Sequence, residues 1–123
     1  PFENAIRNNA AFIMAAHISA PRVTGDDTPA SLSKTMITDI LRGQMGYDGI
    51  VVTDAMNMGA VTEQYTSAQA AVKALQAGAD VVLMPENFQE AYQGVLDAVK
   101  DGTLTEQRID ESVTRIVTVK VHM

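Results

Sequence analysis

Three side chains able to do chemistry stand where an apolar run stops. Ile50, Val51 and Val52 follow the turn Gly46-Tyr47-Asp48-Gly49, and their run ends in Thr53 and Asp54. Phe12 to Ala16 is a second run and ends in His17, while a third, Asp80 to Met84, stops at Pro85 and Glu86. Runs this short and rich in apolar residues read as buried strands rather than helices. In parallel sheets the ligand site lies beyond the carboxyl ends of the strands. A carboxylate there can act as a nucleophile, and two carboxylates about one centre are the usual equipment of glycoside hydrolysis. Asp54 can equally serve its own backbone, accepting N–H bonds from the next loop as Asx-turns and helix caps do. Position alone leaves both readings open.

Helices must hold these strands in place. Phe2, Ala5 and Ile6 predict a short helix stopped by Asn9 in a left-handed conformation. Ile18 to Leu32, with Pro21, Gly25, Asp26, Asp27 and Pro29, predicts a long loop without regular structure over the end of a strand. Ser33 is the expected N-cap of a helix carrying Met36, Ile37, Ile40 and Leu41 and closed by Gly46, with Asp39 and Arg42 as an exposed i, i+3 pair. After the loop Ala55 to Thr66, Ser67 opens an Ala-rich helix that Gly78 ends. Glu86 precedes a helix bearing Phe88, Tyr92, Val95, Leu96 and Val99, where the N-terminal dipole favours an acid and gives it a structural role. Thr105 caps a last helix, with Leu104 and Ile109 as a hydrophobic staple and Val113, Ile116 and Val117 on its buried face. Alternating strands and helices imply an α/β fold with a parallel sheet, and no linker divides residues 1–123.

Composition narrows the partners. A chain of 123 residues with 46% hydrophobic residues makes one domain. Its net charge of −6 excludes a nucleic-acid backbone or an anionic membrane surface as partner. No apolar run approaches the roughly 18 residues of a membrane span. Cysteine is absent, which rules out disulfides and thiolate metal sites. Asp26 and Asp27 are adjacent acids without the six or so oxygens that calcium needs, so they read as a solvated turn. Met56 and Met58 fit either a flexible binding surface or gap-filling under a loop.

The stretch from Leu41 to Met58, Leu-Arg-Gly-Gln-Met-Gly-Tyr-Asp-Gly-Ile-Val-Val-Thr-Asp-Ala-Met-Asn-Met, resembles the nucleophile segment of family 3 glycoside hydrolases. It is most similar to their β-N-acetylhexosaminidase branch. Ile13-Met14-Ala15-Ala16-His17, Pro29-Ala30-Ser31-Leu32-Ser33 and Ala77 to Pro85 agree with it. The branch assignment rests on Asp54-Ala55-Met56-Asn57-Met58, where β-glucosidases of the family more often place an aromatic residue after the Asp. The resemblance implies a partial (β/α)8 barrel of TIM type, its strands the last three of the eight. It implies a carbohydrate substrate, terminal β-linked N-acetylhexosamine such as that of peptidoglycan, with no cofactor and no metal. Asp54 would be the nucleophile and Thr53 a hydrogen-bond donor to it. His17, Asn57 and Met58 would be substrate contacts.

Half of the chemistry is then elsewhere. In that branch the proton donor is a His held by an Asp on an earlier loop, and a Lys-His pair that binds sugar is also earlier. Neither motif occurs here, and His122 has no acid near it in sequence. Residues 1–123 are therefore expected to be the C-terminal segment of one catalytic domain, inactive alone, whose natural partner is the missing N-terminal half of the barrel. Without that half, open sheet edges predict a homo-oligomer. The compartment, bacterial cytoplasmic or secreted, is open, since any signal would lie upstream of Pro1. Two rival functions remain: a non-catalytic carbohydrate-binding or oligomerising scaffold derived from such an enzyme, and an unrelated barrel with a phosphate site. Pro85-Glu86-Asn87, acidic and without glycine, argues against the phosphate.

Overall fold

In the computed structural model, which describes residues 1–123, two parallel strands form the sheet: β1 (Phe12–Ala15) and β2 (Ile50–Thr53). Phe12 faces Ile50 and Ala15 faces Thr53. Side chains alternate across a sheet, so Ile13, Val51 and Thr53 share the face covered by helices and are buried. Phe12 and Met14, on the other face, are 53% and 52% exposed. One side of the sheet is thus packed, and the other is open along β1 although Ile50, opposite Phe12, is buried.

The third apolar run lies beside β2 but is not a full strand. Val81 makes a single parallel bridge to Val52. Backbone bonds run from Asp80 N to Val51 O (2.8 Å) and from Thr53 N to Val81 O (3.0 Å). The ladder then breaks because Leu83 N–H donates to the Thr53 side-chain oxygen at 3.1 Å rather than to a carbonyl. Met84, with φ of 48°, turns the chain away. The expected third strand is therefore present in place and direction, reduced in extent by a side chain that takes the backbone's donor.

Local signals set most helix ends. Helix α1 (Phe2–Arg7) is followed by Asn9 at φ 59°. The loop after β1 contains, against expectation, a one-turn helix α2 (Pro21–Thr24) and a 3₁₀ turn (Ala30–Leu32). Pro21 fits the first turn because its missing N–H would be unpaired there anyway. Asp26 accepts the Thr28 N–H at 2.9 Å, which lowers its pKa and marks it as a turn residue. Beyond β2 come α3 (Gly59–Thr62) and α4 (Ser67–Ala77). Thr66 and Gln69 cap α4 reciprocally, and Gly78 closes it at φ 115°. Helix α5 (Phe88–Asp101) starts at the Asn87 cap, and α6 (Glu106–Val121) at Thr105.

The helix over Thr35–Gln44 is a π-helix. Ser33 Oγ accepts the Met36 N–H at 3.3 Å at its start, and Met45 N bonds Ile40 O five residues back at 2.9 Å at its end. This wider winding changes which residues share a side, because the i→i+5 turn carries i and i+3 apart where an α-helix would make them neighbours. Asp39 consequently pairs with Lys34 (3.0 Å) and not with Arg42. Arg42 turns inward to the carbonyls of Gly78, Tyr47 and Gly49 and to the Asp80 carboxylate. The expected exposed Asp39 and Arg42 pair does not form.

Ile37, Leu41, Val51, Met56, Val61 and Ala74 belong to one core between sheet and helices. Each large aliphatic side chain there contributes roughly 1.5–3 kcal/mol by leaving water. A smaller cluster joins Leu75, Ala98 and Leu104, with Ile109 packed on it as the staple requires. Val113 and Val117, expected inside, are 49% and 50% exposed. Helix α6 instead turns a polar side inward. Ser112 and Arg115 donate to Asp80 Oδ1 (2.7 and 3.0 Å), and Arg108 binds the carbonyls of Leu75 and Ala79. Burial lowers the guanidinium pKa of Arg42 and Arg108, and the negative charge of Asp80 opposes that shift.

Candidate functional site

Asp54 directly follows the last residue of β2. Its N–H donates to Ala15 O at 2.9 Å, so the backbone is still held in sheet geometry where the side chain departs. It stands two positions past Val52, which places it on the uncovered face with Phe12 and Met14. The carboxylate is half-buried. Oδ1 accepts the Ala55 N–H at 2.8 Å, and Oδ2 has no protein partner. One oxygen is fixed by a donor that favours negative charge, and the other is free to meet a ligand. The Asx-type contact and the reactive reading are thus compatible, because they use different oxygens.

His17 is at the matching end of β1, one residue past the position opposite Asp54. Its Nε2 lies 2.9 Å from Ala55 O and its Nδ1 2.7 Å from Ser31 Oγ. A carbonyl only accepts, so Nε2 carries the proton and donates it. Both ring nitrogens are engaged within the protein, which puts His17 beside Asp54 as a support rather than a free ligand group. Thr53, expected as a donor to Asp54, is fully buried and accepts the Leu83 N–H instead. Its parity sends its side chain to the covered face, away from Asp54.

The loop behind the carboxylate divides by depth. Met56 is 2% exposed and fills the core under the loop, while Met58 is 44% exposed and Asn57 lies open beside it. Glu86 does not join Asp54. It lines an open cleft of about 640 Å3 with Glu63, Glu90 and Tyr65, between the approach to α4 and the start of α5. His122 ends α6 on the exposed surface. Two participants were not singled out as site residues from the sequence, although Ser31 lies in a stretch that agrees with the resemblance. Ser31 is fully buried under His17, yet it is fourteen residues away along the chain. Ala55 enters through its backbone, which no residue pattern announces.

The geometry offers a strand-end carboxylate with one unpartnered oxygen, beside an imidazole that bonds the neighbouring peptide. Such a site can supply a nucleophile or an electrostatic partner to a cationic centre.

Comparison with known proteins identifies the family of the chain. The family described as "Glycosyl hydrolase family 3 N terminal domain" matches residues 1–119. A β-N-acetylglucosaminidase/β-glucosidase of Cellulomonas fimi is 28% identical over 131 residues, covering 99% of this chain and 23% of that protein. A β-hexosaminidase of Chromobacterium violaceum is 40% identical over 91 residues, covering 74% of this chain and 25% of that one. The solved structure of a glycoside hydrolase family 3 β-N-acetylglucosaminidase from a Paenibacillus species superposes with a TM-score of 0.94 at 41% identity, over 98% of this chain and 23% of that chain. The chain spans about a quarter of the length of the curated relatives it matches.

Proposed function

Because the chain belongs to glycosyl hydrolase family 3, we propose that it is the nucleophile-bearing segment of a retaining glycosidase acting on terminal β-linked N-acetylhexosamine, with Asp54 as the nucleophile. The fold is an α/β segment matching that family's barrel domain. The observation that carries the reading is the unpartnered Oδ2 of Asp54, at the carboxyl end of a parallel strand and on the face that a barrel would enclose.

In this reaction Oδ2 attacks the anomeric carbon as the bond to the leaving oxygen breaks, and that oxygen takes a proton from a general acid. The product is a glycosyl ester on Asp54. Water, deprotonated by the same acid/base group, then attacks the anomeric carbon and releases the carboxylate with net retention. Residues 1–123 provide the nucleophile, its Ala55 donor and the rim residues Asn57 and Met58. The acid/base group belongs to the missing N-terminal half of the barrel, so this segment alone is expected to be inactive. Natural substrates on this reading are amino-sugar glycans, including those of peptidoglycan.

The test uses the full-length protein and a 5-fluoro N-acetylhexosaminyl fluoride, which slows release of the glycosyl-enzyme. Mass spectrometry should find one added sugar on the peptide containing Asp54. Asp54→Ala should take no label and lose on the order of 10⁴-fold in kcat, the scale seen when a residue of a covalent catalytic unit is removed. A folded full-length protein that takes no label, or whose Asp54→Ala variant keeps near-normal turnover, points instead to a carbohydrate-binding or oligomerising scaffold.

A further inference from the structure

Resting on Asp54 as nucleophile, we infer that His17 and Ser31 form a positioning pair that acts on that nucleophile through the Ala55 peptide. The two peptide groups that follow Asp54 are fixed in different ways. In the first, Ala55 N–H donates to Asp54 Oδ1 at 2.8 Å. In the second, Ala55 O accepts from His17 Nε2 at 2.9 Å while Met56 N–H donates to Leu83 O at 2.8 Å. The plane of that second peptide is therefore held from both sides, by the end of β1 and by the run beside β2. Ala55 is thereby held on its C-terminal side, which restricts the rotations that would take its N–H off Oδ1.

Ser31 sets which nitrogen of His17 faces Ala55. Its hydroxyl is fully buried and lies 2.7 Å from Nδ1. With Nδ1 accepting from Ser31, the proton sits on Nε2, the only tautomer of the neutral ring that can bond the Ala55 carbonyl. If the ring carried its proton on Nδ1, two lone pairs would face each other across 2.9 Å. The loop between β1 and the π-helix brings Ser31 there: Ser31 N–H donates to Ala16 O at 3.1 Å and Ala30 N–H to Ile18 O at 2.9 Å, which folds the 3₁₀ turn back against the strand end. That loop is thus a support beneath the nucleophile.

The consequence is kinetic. Oδ1 keeps its donor and Oδ2 keeps one direction of approach, which favours attack without adding affinity for the sugar. Loosening a reacting group by about 1 Å can cost on the order of 10²-fold in rate. In the full-length protein, His17→Ala should slow labelling of Asp54 by the fluoro sugar about 10- to 100-fold while KM for an aryl glycoside stays near that of the wild type. His17→Gln, whose amide nitrogen can reach the place of Nε2, should recover most of the rate, and His17→Asn should not. Ser31→Ala keeps the ring and frees its tautomer, so an intermediate loss is expected. Labelling of His17→Ala at the wild-type rate overturns the inference. So does equal slowing in His17→Gln and His17→Ala with matching losses of thermal stability, since that is what a merely structural residue would do. If His17→Ala does not fold, Ser31→Ala decides, and wild-type labelling in that variant rejects the pair. Absence of label on Asp54 in the wild-type protein removes the nucleophile assignment itself, and this inference with it.

Discussion

Asp80 shows what a single side chain can require of its surroundings. Its carboxylate has no exposed surface, and an ionised group in that position persists only where its oxygens meet donors. Oδ1 accepts from Ser112 and Arg115, and Oδ2 from Arg42 and the Val51 N–H. One residue thereby ties β2, the π-helix and α6 together on the side of the sheet opposite the candidate site. Asp80→Asn keeps the volume and removes the charge, leaving Arg42 and Arg115 without their counterion at side-chain exposures of 12% and 23%. Removing one member of a buried pair costs about 3–5 kcal/mol, so the urea midpoint of the full-length protein should fall accordingly with the m-value unchanged. A loss under about 1 kcal/mol would class this network with ordinary surface ion pairs.

Between elements, α4 and α5 approach closely at Gly94. A Cβ on Gly94 would lie 2.5 Å from Ala68 Cβ and 2.9 Å from Ala68 Cα, and a Cα cannot swing aside. Helix propensity favours Ala over Gly by about 1 kcal/mol, while overpacking costs about 1–3 kcal/mol. Gly94→Ala should therefore lower the melting temperature, and adding Ala68→Gly should restore part of it, since the two positions share one contact. A Gly94→Ala variant that melts above the wild type would show that the helices separate freely. The same scale explains what could be read from the residues. Helix ends marked by Ser67, by Thr105 with Leu104, and by Gly46 and Gly78 follow from neighbours a few residues apart, and so were legible, whereas the reciprocal cap of Thr66 and Gln69 was not read. Asp54 and His17 were legible as strand ends. The π-winding was not, since Met36, Ile37, Ile40 and Leu41 satisfy an α-helical stripe equally well. Nor was the Asp80 network, whose members Arg42, Ser112 and Arg115 are 38, 32 and 35 residues away along the chain. The short third run escaped because a Thr53 hydroxyl, not an apolar pattern, decided where its ladder stops.

At the scale of the molecule, packing is one-sided. Phe12 and Met14 lie on the open face, the outer edge of β1 is unpaired, and Phe2, Ile18, Met36 and Met45 help to line an apolar groove of about 310 Å3 beside that edge. Apolar surface and a free strand edge together form a template for association. In the proposed enzyme the missing part of the barrel covers both. Prepared alone, the 123-residue segment has only other copies of itself to offer. Light scattering after size exclusion should show it as a dimer or larger, dissociating on dilution. Met14→Lys puts a charge on the open face at a position already 52% exposed, so it should shift the equilibrium toward monomer without loss of helical signal. If the unsubstituted segment stays monomeric at all concentrations while fully folded, the open face needs no cover. The covering half-barrel would then have to be justified by chemistry alone, by the acid/base group that Asp54 requires, and not by the stability of the fold.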